Sequence, residues 1–251
     1  VVIDETQDLR PADLRFLRAL VPPSRNDLFL VGDAHQRIYG HVANLSACGI
    51  ETRGRSVRLK VNYRTTEPIR AWAVKVLGGM RPDDLDGGED DLAGYRSLRR
   101  GPAPTVHHFV RESEEAEAVL ETVRAWRQQG PDREVCLAVR TKELIASRYL
   151  PLLKSAGIPA VLVQTKAEAD LADGVRLATM HRVKGLEFPR VLLAGVQEGT
   201  VPLALSDDAL PDAAAREDHA LQERRLLFVA ATRARDELVV TGYGVRSSLL
   251  P

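Results

Sequence analysis

Short apolar runs alternate with longer segments in which apolar residues recur every three or four positions along most of the chain. The short runs predict buried strands, and the longer segments predict amphipathic helices. The predicted strands cover residues 1–3, 27–31, 57–61, 105–110, 134–139, 160–163, 175–178, 191–196 and 237–241. The predicted helices cover residues 11–20, 68–77, 113–129, 142–156 and 213–234. This alternation indicates an α/β fold with a mostly parallel sheet and right-handed crossovers.

The alternation is interrupted at residues 80–91, which are acidic and rich in glycine and proline. This composition is typical of a linker or a surface loop, and the acidic residues lack the twelve-residue ligand spacing of a calcium loop. The strand and helix pattern restarts at Thr105. We therefore predict two domains, residues 1–80 and residues 105–251, joined by an acidic linker at residues 81–104.

Composition narrows the classes of function. The 251 residues include 35 Lys and Arg and 35 Asp and Glu, so the formal charge is zero and any nucleic-acid binding must depend on a local basic surface. Cys48 and Cys136 lie far apart without a metal-binding spacing, which favours buried thiols in a reducing compartment over structural zinc. No apolar run approaches the roughly 20 residues of a membrane span, and no signal-peptide pattern opens the sequence. We expect a cytoplasmic protein that does not enter a membrane.

Two adjacent carboxylates, Asp4 and Glu5, follow the first apolar run. At the carboxyl end of a buried parallel strand, Asp4 could hold Mg²⁺ on phosphates while Glu5 orients an attacking water. The alternative is a solvated strand end. Gln36 lies in a loop after the predicted strand at 27–31, where its neutral amide could sense a terminal phosphate or simply belong to a polar loop.

Tyr63 and Arg64 place an aromatic ring beside a guanidinium. Tyr63 could stack on a base while Arg64 pairs with phosphate oxygens. Tyrosine and arginine also share many purely structural surfaces, so the residues alone leave both interpretations open.

Five motifs occur in a fixed order along the chain. They are Asp4-Glu5-Thr6-Gln7-Asp8, Gly32-Asp33-x-x-Gln36-x-Ile38-Tyr39, Asn62-Tyr63-Arg64-Thr65-Thr66, Thr179-x-His181-x-x-Lys184-Gly185-Leu186-Glu187-Phe188 and Glu223-Arg224-Arg225-Leu226-x-x-Val229-x-x-Thr232-Arg233-Ala234. In this order they resemble motifs II to VI of the UvrD/Rep-like superfamily 1 DNA helicases. The resemblance implies RecA-like parallel sheets flanked by helices, with a partial first domain (motifs II to IV) and a complete second, P-loop-NTPase-like domain (motifs V and VI).

The resemblance also implies roles for individual residues, with ATP and Mg²⁺ as the bound groups. The catalytic set would be Asp4 as the Mg²⁺ ligand, Glu5 as the base, Gln36 as the γ-phosphate sensor, Arg64 as a phosphate contact and Arg233 as the arginine finger. The nucleotide-binding set would be Tyr63, which stacks on adenine, with Gly185 and Glu187. The DNA-binding set would be Tyr39, His41, Thr179, His181 and Lys184. For Glu223, Arg224 and Arg225, a salt-bridged helix surface is the competing interpretation.

Three features depart from the family pattern. The phosphate-binding loop Gly-x-x-x-x-Gly-Lys-Ser/Thr does not occur in the sequence, so we expect it upstream of Val1, in a missing N-terminal part of the same protein. The fragment alone is therefore expected to be inactive as an ATPase. The loop after Tyr39 reads Gly40-His41-Val42 where the family usually carries an aromatic residue and Arg-Gly-Ala, which leaves only His41 to stack on a base. The stretch between Arg64 and Thr179 is too short for the large accessory domain of many family members.

These observations predict the C-terminal part of an ATP-dependent superfamily 1 helicase or translocase. Hydrolysis in an interdomain cleft would drive movement on single-stranded or partly duplex DNA. The alternative is an ATP-gated regulator or nuclease-associated scaffold without unwinding activity.

Overall fold

The computed structural model describes residues 1–38, 43–80, 88, 92, 94–164 and 173–251. Its tertiary contacts divide the chain into two compact units. The first unit comprises Val1–Lys60 and Gly79–Tyr95, and the second comprises Val61–Gly78 and Arg96–Pro251. Among the described residues, no helix has the length and apolar character needed to cross a membrane.

The first unit contains a short parallel strand pair, β1 (Val2–Ile3) and β2 (Phe29–Leu30), connected through helix α1 (Pro11–Leu20). Helix α1 begins with proline at a position where its missing N–H costs nothing, and Asp13 accepts a hydrogen bond from the backbone N–H of Arg10 (3.0 Å). Leu14, a residue of this helix, is fully buried. Because β1 and β2 are parallel, the residues that follow each strand emerge at the same edge.

The second unit contains the remaining elements. In chain order these are β3 (Val61–Thr66), α2 (Glu67–Val76), β4 (Arg96–Arg99), β5 (Thr105–Phe109), α3 (Glu112–Arg127), β6 (Val135–Val139), α4 (Lys142–Leu144), α5 (Leu150–Ser155), β7 (Ala160–Leu162), β8 (Val175–Thr179), β9 (Phe188–Leu193), α6 (Ala213–Ala231) and β10 (Ala234–Tyr243). Six of its strands form one parallel sheet in the order β5-β10-β9-β6-β8-β7. The predicted α/β class with a parallel sheet flanked by helices is confirmed.

The core of the second unit lies between this sheet and helix α3. Every residue of β6 is buried, as expected for a central parallel strand covered on both faces. Helix α3 packs Val119, Val123 and Trp126 into the core at helical spacing. Each fully buried side chain of this size contributes about 1.5 to 3 kcal/mol.

A charged group, Glu115, is also fully buried on α3. It accepts hydrogen bonds from the hydroxyls of Tyr149 (3.1 Å) and Thr241 (2.6 Å) and from the N–H of Gly195 (3.2 Å), and it pairs with Arg148. Burial, followed by the Glu115 charge, raises the pKa of Tyr149, so its hydroxyl stays protonated and donates. Through these bonds the buried carboxylate connects α3 to β10 and to the segment before α5.

The strand predicted at residues 57–61 is wrong, and one strand of the second unit was not predicted. Residues 57–60 form no strand, and Val57 and Leu59 are among the most exposed apolar side chains. The strand here is instead β3, which pairs in parallel with β4, a polar segment that carries no apolar alternation strong enough to predict a strand.

The compact units also divide the chain differently from the predicted boundaries at residues 80 and 104. Strand β3 and helix α2 belong to the second unit, because the Thr65 hydroxyl donates to the Ala234 carbonyl and Arg224 Nη1 donates to the Val76 carbonyl (2.9 Å). Strand β4, predicted as linker, joins the same unit through its pairing with β3. Most of residues 81–93 lie outside the described part of the chain.

Candidate functional site

The first unit places the predicted carboxylates at the exposed end of β1. Glu5 adopts φ 52° and ψ 39°, a left-handed conformation that costs a non-glycine residue about 1 to 2 kcal/mol. The turn is held by Thr6, whose backbone N–H (3.0 Å) and hydroxyl (2.9 Å) both donate to the Val31 carbonyl at the end of β2. The sequence therefore maintains a strained backbone at the residue predicted to act as the base.

The same edge holds Gln36, the predicted phosphate sensor. Asp33 follows β2, and its carboxylate accepts hydrogen bonds from the N–H of His35 (2.9 Å) and from Gln36 Nε2 (2.8 Å). Gln7 connects this loop to the first carboxylates, because its Oε1 accepts from the Asp33 N–H (2.9 Å) and its Nε2 donates to Glu5 Oε2. The structure thus brings Glu5 and Gln36 into one hydrogen-bonded group, as the parallel pairing of β1 and β2 requires.

The donor set at this edge fits a magnesium ion that arrives with phosphates. One oxygen of Asp4 accepts from the Glu5 N–H (2.8 Å), and the Asp4 side chain is exposed. The described residues contain no group of three or more Asp, Glu, His or Cys side chains able to hold a metal. Mg²⁺ usually takes one or two carboxylates and completes its coordination with phosphate oxygens and water. A single exposed aspartate is consistent with this mode of Mg²⁺ binding, whereas a site made only of protein ligands would need several more.

The second unit brings together two of the predicted nucleotide contacts, Arg64 and Glu187. Arg64 Nε lies 2.8 Å from Glu187 Oε2, and these two side chains are 47% and 48% exposed. Tyr63, next in sequence, is mostly exposed. The Asn62 side-chain oxygen accepts from the N–H of Arg64 (2.7 Å) and fixes the local backbone. A guanidinium and a carboxylate therefore lie together in contact with solvent, and an exposed aromatic ring occupies the preceding position of β3.

Arg99 is a further contact of Arg64, and the sequence did not indicate it. Its Nη1 donates to the Arg64 carbonyl (2.6 Å), and its Nη2 donates to Asp236 Oδ1 (2.5 Å). It thereby ties the backbone of β3 to β10. No motif or spacing in the sequence pointed to this arginine.

Arg233 lies inside the second unit, with a side chain that is only 2% exposed. Its Nε donates to the Val229 carbonyl (3.1 Å), and its other nitrogens lie 3.5 Å from the Leu186 carbonyl and 3.3 Å from Thr232 Oγ1. The guanidinium is therefore adjacent to the residue that precedes Glu187. To reach a phosphate, it has to exchange these contacts.

The predicted DNA-contacting residues follow β8. Thr179 ends this strand and accepts from the N–H of Arg182 through its carbonyl (2.8 Å) and its hydroxyl (3.2 Å). His181 is half-buried, and this burial lowers its pKa; the Arg140 charge lowers it further, and Glu223 acts in the opposite direction. His181 is therefore neutral at pH 7.

Beneath His181 lies a buried ion pair between Arg140, just after β6, and Glu223 of α6. Arg140 Nη2 is 2.6 Å from Glu223 Oε1, and Glu223 Oε2 also accepts from the N–H of Leu203 (3.0 Å). The interpretation of residues 223–225 as a salt-bridged helix surface is thus half right: the salt bridge exists, but it is buried and joins α6 to the sheet.

The parallel topology places the predicted DNA contact Thr179 at one edge of the sheet and the predicted ATP-site residues Glu187 and Arg233 at the opposite edge. Thr179 ends β8 at the carboxyl edge, whereas Glu187 immediately precedes β9 and Arg233 immediately precedes β10 at the amino edge. Residues 180–187 cross between these edges as a series of tight turns. Lys184 is half-buried within this crossing, and Gly185 adopts φ 77°, a conformation that favours glycine. Tyr39 and His41 lie outside the described residues.

Two family models match the chain. The UvrD/REP helicase N-terminal domain matches residues 1–45, and the UvrD-like helicase C-terminal domain matches residues 152–243. These matched segments contain Asp4, Glu5 and Gln36 in the first case and His181, Glu187 and Arg233 in the second.

Individual proteins that are similar to this chain are also helicases by name. The ATP-dependent DNA helicase UvrD2 of Mycobacterium tuberculosis is 24% identical over 335 aligned residues, which cover 96% of this chain and 47% of that protein. The ATP-dependent DNA helicase PcrA of Staphylococcus aureus is 42% identical over 81 residues, covering 32% of this chain and 10% of PcrA. The chain spans about half the length of the UvrD2 relatives it matches. A crystal structure of the C-terminal domain of a possible DNA helicase from Lactobacillus shares the fold, with a TM-score of 0.51 and 21% identity over 75% of this chain and 92% of that one.

Proposed function

The chain belongs to the UvrD/Rep-like helicase family, and on that premise we propose that it is part of a superfamily 1 motor that couples ATP hydrolysis to movement along single-stranded DNA. The observation that carries this proposal is the crossing segment at residues 180–187. It begins beside the predicted DNA contact His181 and ends at the predicted nucleotide contact Glu187. In the proposed motor, a change in the contacts of Glu187 shifts these eight residues and so reaches the other edge of the sheet.

The first unit supplies the hydrolytic groups. Asp4 would hold the Mg²⁺ that accompanies ATP, and the bound ion would supply positive charge against the phosphates. Glu5 orients the attacking water and takes its proton, a role worth about 10² to 10⁴ in rate. Gln36 donates its amide to the terminal phosphate and loses that contact after hydrolysis.

The second unit supplies binding and charge. Tyr63 stacks on the adenine ring, and Arg64 exchanges Glu187 for a phosphate oxygen. That exchange is inexpensive, because an ion pair as exposed as this one contributes about 0 to 1 kcal/mol. Glu187 then accepts hydrogen bonds from the nucleotide sugar near Gly185. Arg233 leaves its backbone acceptors and stabilises charge that develops during phosphoryl transfer.

The DNA contacts lie at the start of the crossing segment. The chain has no net charge, so attraction to the DNA backbone must come from local cations such as Lys184. Thr179 and neutral His181 offer hydrogen bonds and, in the case of His181, a ring face for stacking. This combination suits single-stranded DNA, whose bases are open to such contacts.

The proposal is tested by ATP hydrolysis in the full-length protein with and without single-stranded DNA. We expect hydrolysis that depends on Mg²⁺ and rises when DNA is added, and we expect Glu5→Gln to lower turnover by about 10² to 10⁴. Glu51→Gln is the matched control, since it removes an exposed carboxylate of the same unit that accepts a hydrogen bond from Ser46. Hydrolysis indifferent to DNA, or undiminished in Glu5→Gln, would contradict the proposal.

A further inference from the structure

A buried amide, Gln7, lies between the predicted catalytic base and the predicted phosphate sensor, and only 2% of its surface is exposed. We propose that Gln7 is a positioning residue that holds the Glu5 carboxylate in place and couples it to the loop of Asp33 and Gln36. This inference rests on the proposed function and deepens it, because it concerns how the hydrolytic site senses its substrate.

The hydrogen bonds fix the orientation of the Gln7 amide. The backbone N–H of Asp33 can only donate, so the atom that faces it at 2.9 Å must be the amide oxygen. The amide NH₂ group then faces Glu5 Oε2, and an ionised carboxylate can only accept. One side chain therefore satisfies a donor in the loop after β2 and an acceptor in the turn after β1, and a flipped amide would lose both bonds.

The bonds continue beyond Gln7. Asp33 Oδ2 accepts from Gln36 Nε2 at 2.8 Å, so the sequence of contacts runs from Glu5 through Gln7 and Asp33 to Gln36. Gly32 makes this approach possible, because a Cβ at that position would lie 2.9 Å from Gln7 Oε1. A displacement of Gln36 by a phosphate is therefore passed to Glu5 through fixed hydrogen bonds.

Position matters at Glu5 for a second reason. Its backbone is held in the left-handed region, where a non-glycine residue does not stay without support. Gln7 is the described side chain that bonds to the Glu5 carboxylate. Without that bond the carboxylate regains rotamers in which it does not face the attacking water. A misplacement of about 1 Å can cost roughly 10² in rate.

The test measures kcat and KM for ATP in the full-length protein carrying Gln7→Ala or Gln7→Glu. Gln7→Glu keeps the size of the side chain and an acceptor for Asp33 but replaces the donor that faces Glu5. We expect both variants to lower kcat by at least about tenfold, with KM for ATP changed less than about threefold. Arg18→Gln is the matched control: it removes an ion pair with Asp27 (2.7 Å) in the same unit, and that pair includes neither Glu5 nor Asp33.

A double-mutant cycle separates positioning from a merely structural role. If Gln7 acts through the sensor loop, Gln7→Glu and Gln36→Ala together reduce kcat less than additively in free energy. Normal kcat in Gln7→Glu, additive effects on kcat, or an equal loss of kcat in Arg18→Gln would overturn the inference. If Gln7→Ala does not fold, Gln7→Glu decides the question. Absence of DNA-stimulated hydrolysis in the unaltered protein would instead overturn the proposed function and this inference with it.

Discussion

Replacement of Arg233 by alanine tests both the proposed chemistry and the observed burial. If the guanidinium stabilises the transition state as an arginine finger, its loss lowers kcat by about 10³ to 10⁵, which corresponds to roughly 4 to 7 kcal/mol. Arg233→Lys should restore little, because a point charge cannot reproduce the planar fork of five donors.

The structure adds a cost in stability that an exposed finger would not have. Arg233 is buried; its Nε donates a 3.1 Å hydrogen bond to the Val229 carbonyl, and its contacts with Thr232 Oγ1 and the Leu186 carbonyl are longer, at 3.3 and 3.5 Å. A hydrogen bond from a charged donor contributes about 1.5 to 3 kcal/mol, so we expect Arg233→Ala to destabilise the fold by about 2 kcal/mol. In a unit of this size the melting temperature should fall by about 4 to 8 °C.

The assay pairs steady-state ATP hydrolysis with thermal melts of the full-length protein, and kinetics are measured at a temperature where every variant is folded. Arg235→Ala serves as the control, since Arg235 is two residues away and pairs only loosely with Asp236, at 3.6 Å. Normal turnover in Arg233→Ala would remove Arg233 from the catalytic set. An unchanged melting temperature would contradict the stabilising role assigned to its hydrogen bonds.

Three further predictions follow from the sequence and the site. The 251-residue chain alone should hydrolyse ATP at background rate, because the phosphate-binding loop is not in its sequence; robust Mg²⁺-dependent turnover by the purified chain would refute this. Lys184→Ala should weaken binding of single-stranded DNA and reduce the slope of log K against log salt by about 1, measured by fluorescence anisotropy, and an unchanged slope would place the DNA surface elsewhere. The lowered pKa of His181 means that the unfolded chain takes up this proton first, so stability should decline as pH falls below about 6.5. His181→Gln should reduce that decline in pH-dependent thermal melts, and an identical decline would show that other groups cause it.

Much of the fold follows from the spacing of apolar residues. The run that forms β6 and the helical spacing that forms α3 predict a buried strand and the helix that covers it, because a parallel strand must be apolar on both faces. Strand β4 could not be predicted in this way, since its residues Arg96-Ser-Leu-Arg99 gain their structure from pairing with β3 rather than from a buried face. The helix predicted at 142–156 contains a π-helical turn at Ile145–Tyr149, which brings Arg148 and Tyr149 to Glu115. Glu115 lies about 30 residues earlier in the chain, so no local sequence pattern predicts this contact.

The candidate site, like the fold, could be predicted from the sequence only in part. Parallel strands bring Asp4, Glu5 and Gln36 to one edge, so their proximity could be anticipated from the motifs and the predicted topology. The motif around Arg233 gives its sequence neighbours but not its exposure, which depends on how β10 and α6 pack. The bridging role of Gln7 depends on the orientation of an amide, which is set by partners distant in sequence.

The most direct test of the central claim is movement itself. The full-length protein is bound to single-stranded DNA of increasing length with a fluorophore at one end, and its arrival at that end is followed after rapid mixing with ATP and Mg²⁺. An ATP-driven motor should show a lag that grows in proportion to DNA length, and Glu5→Gln should bind the same DNA but show no such lag. A lag independent of length, or one that is the same in Glu5→Gln, would contradict ATP-coupled movement and favour a regulator that binds DNA without travelling along it.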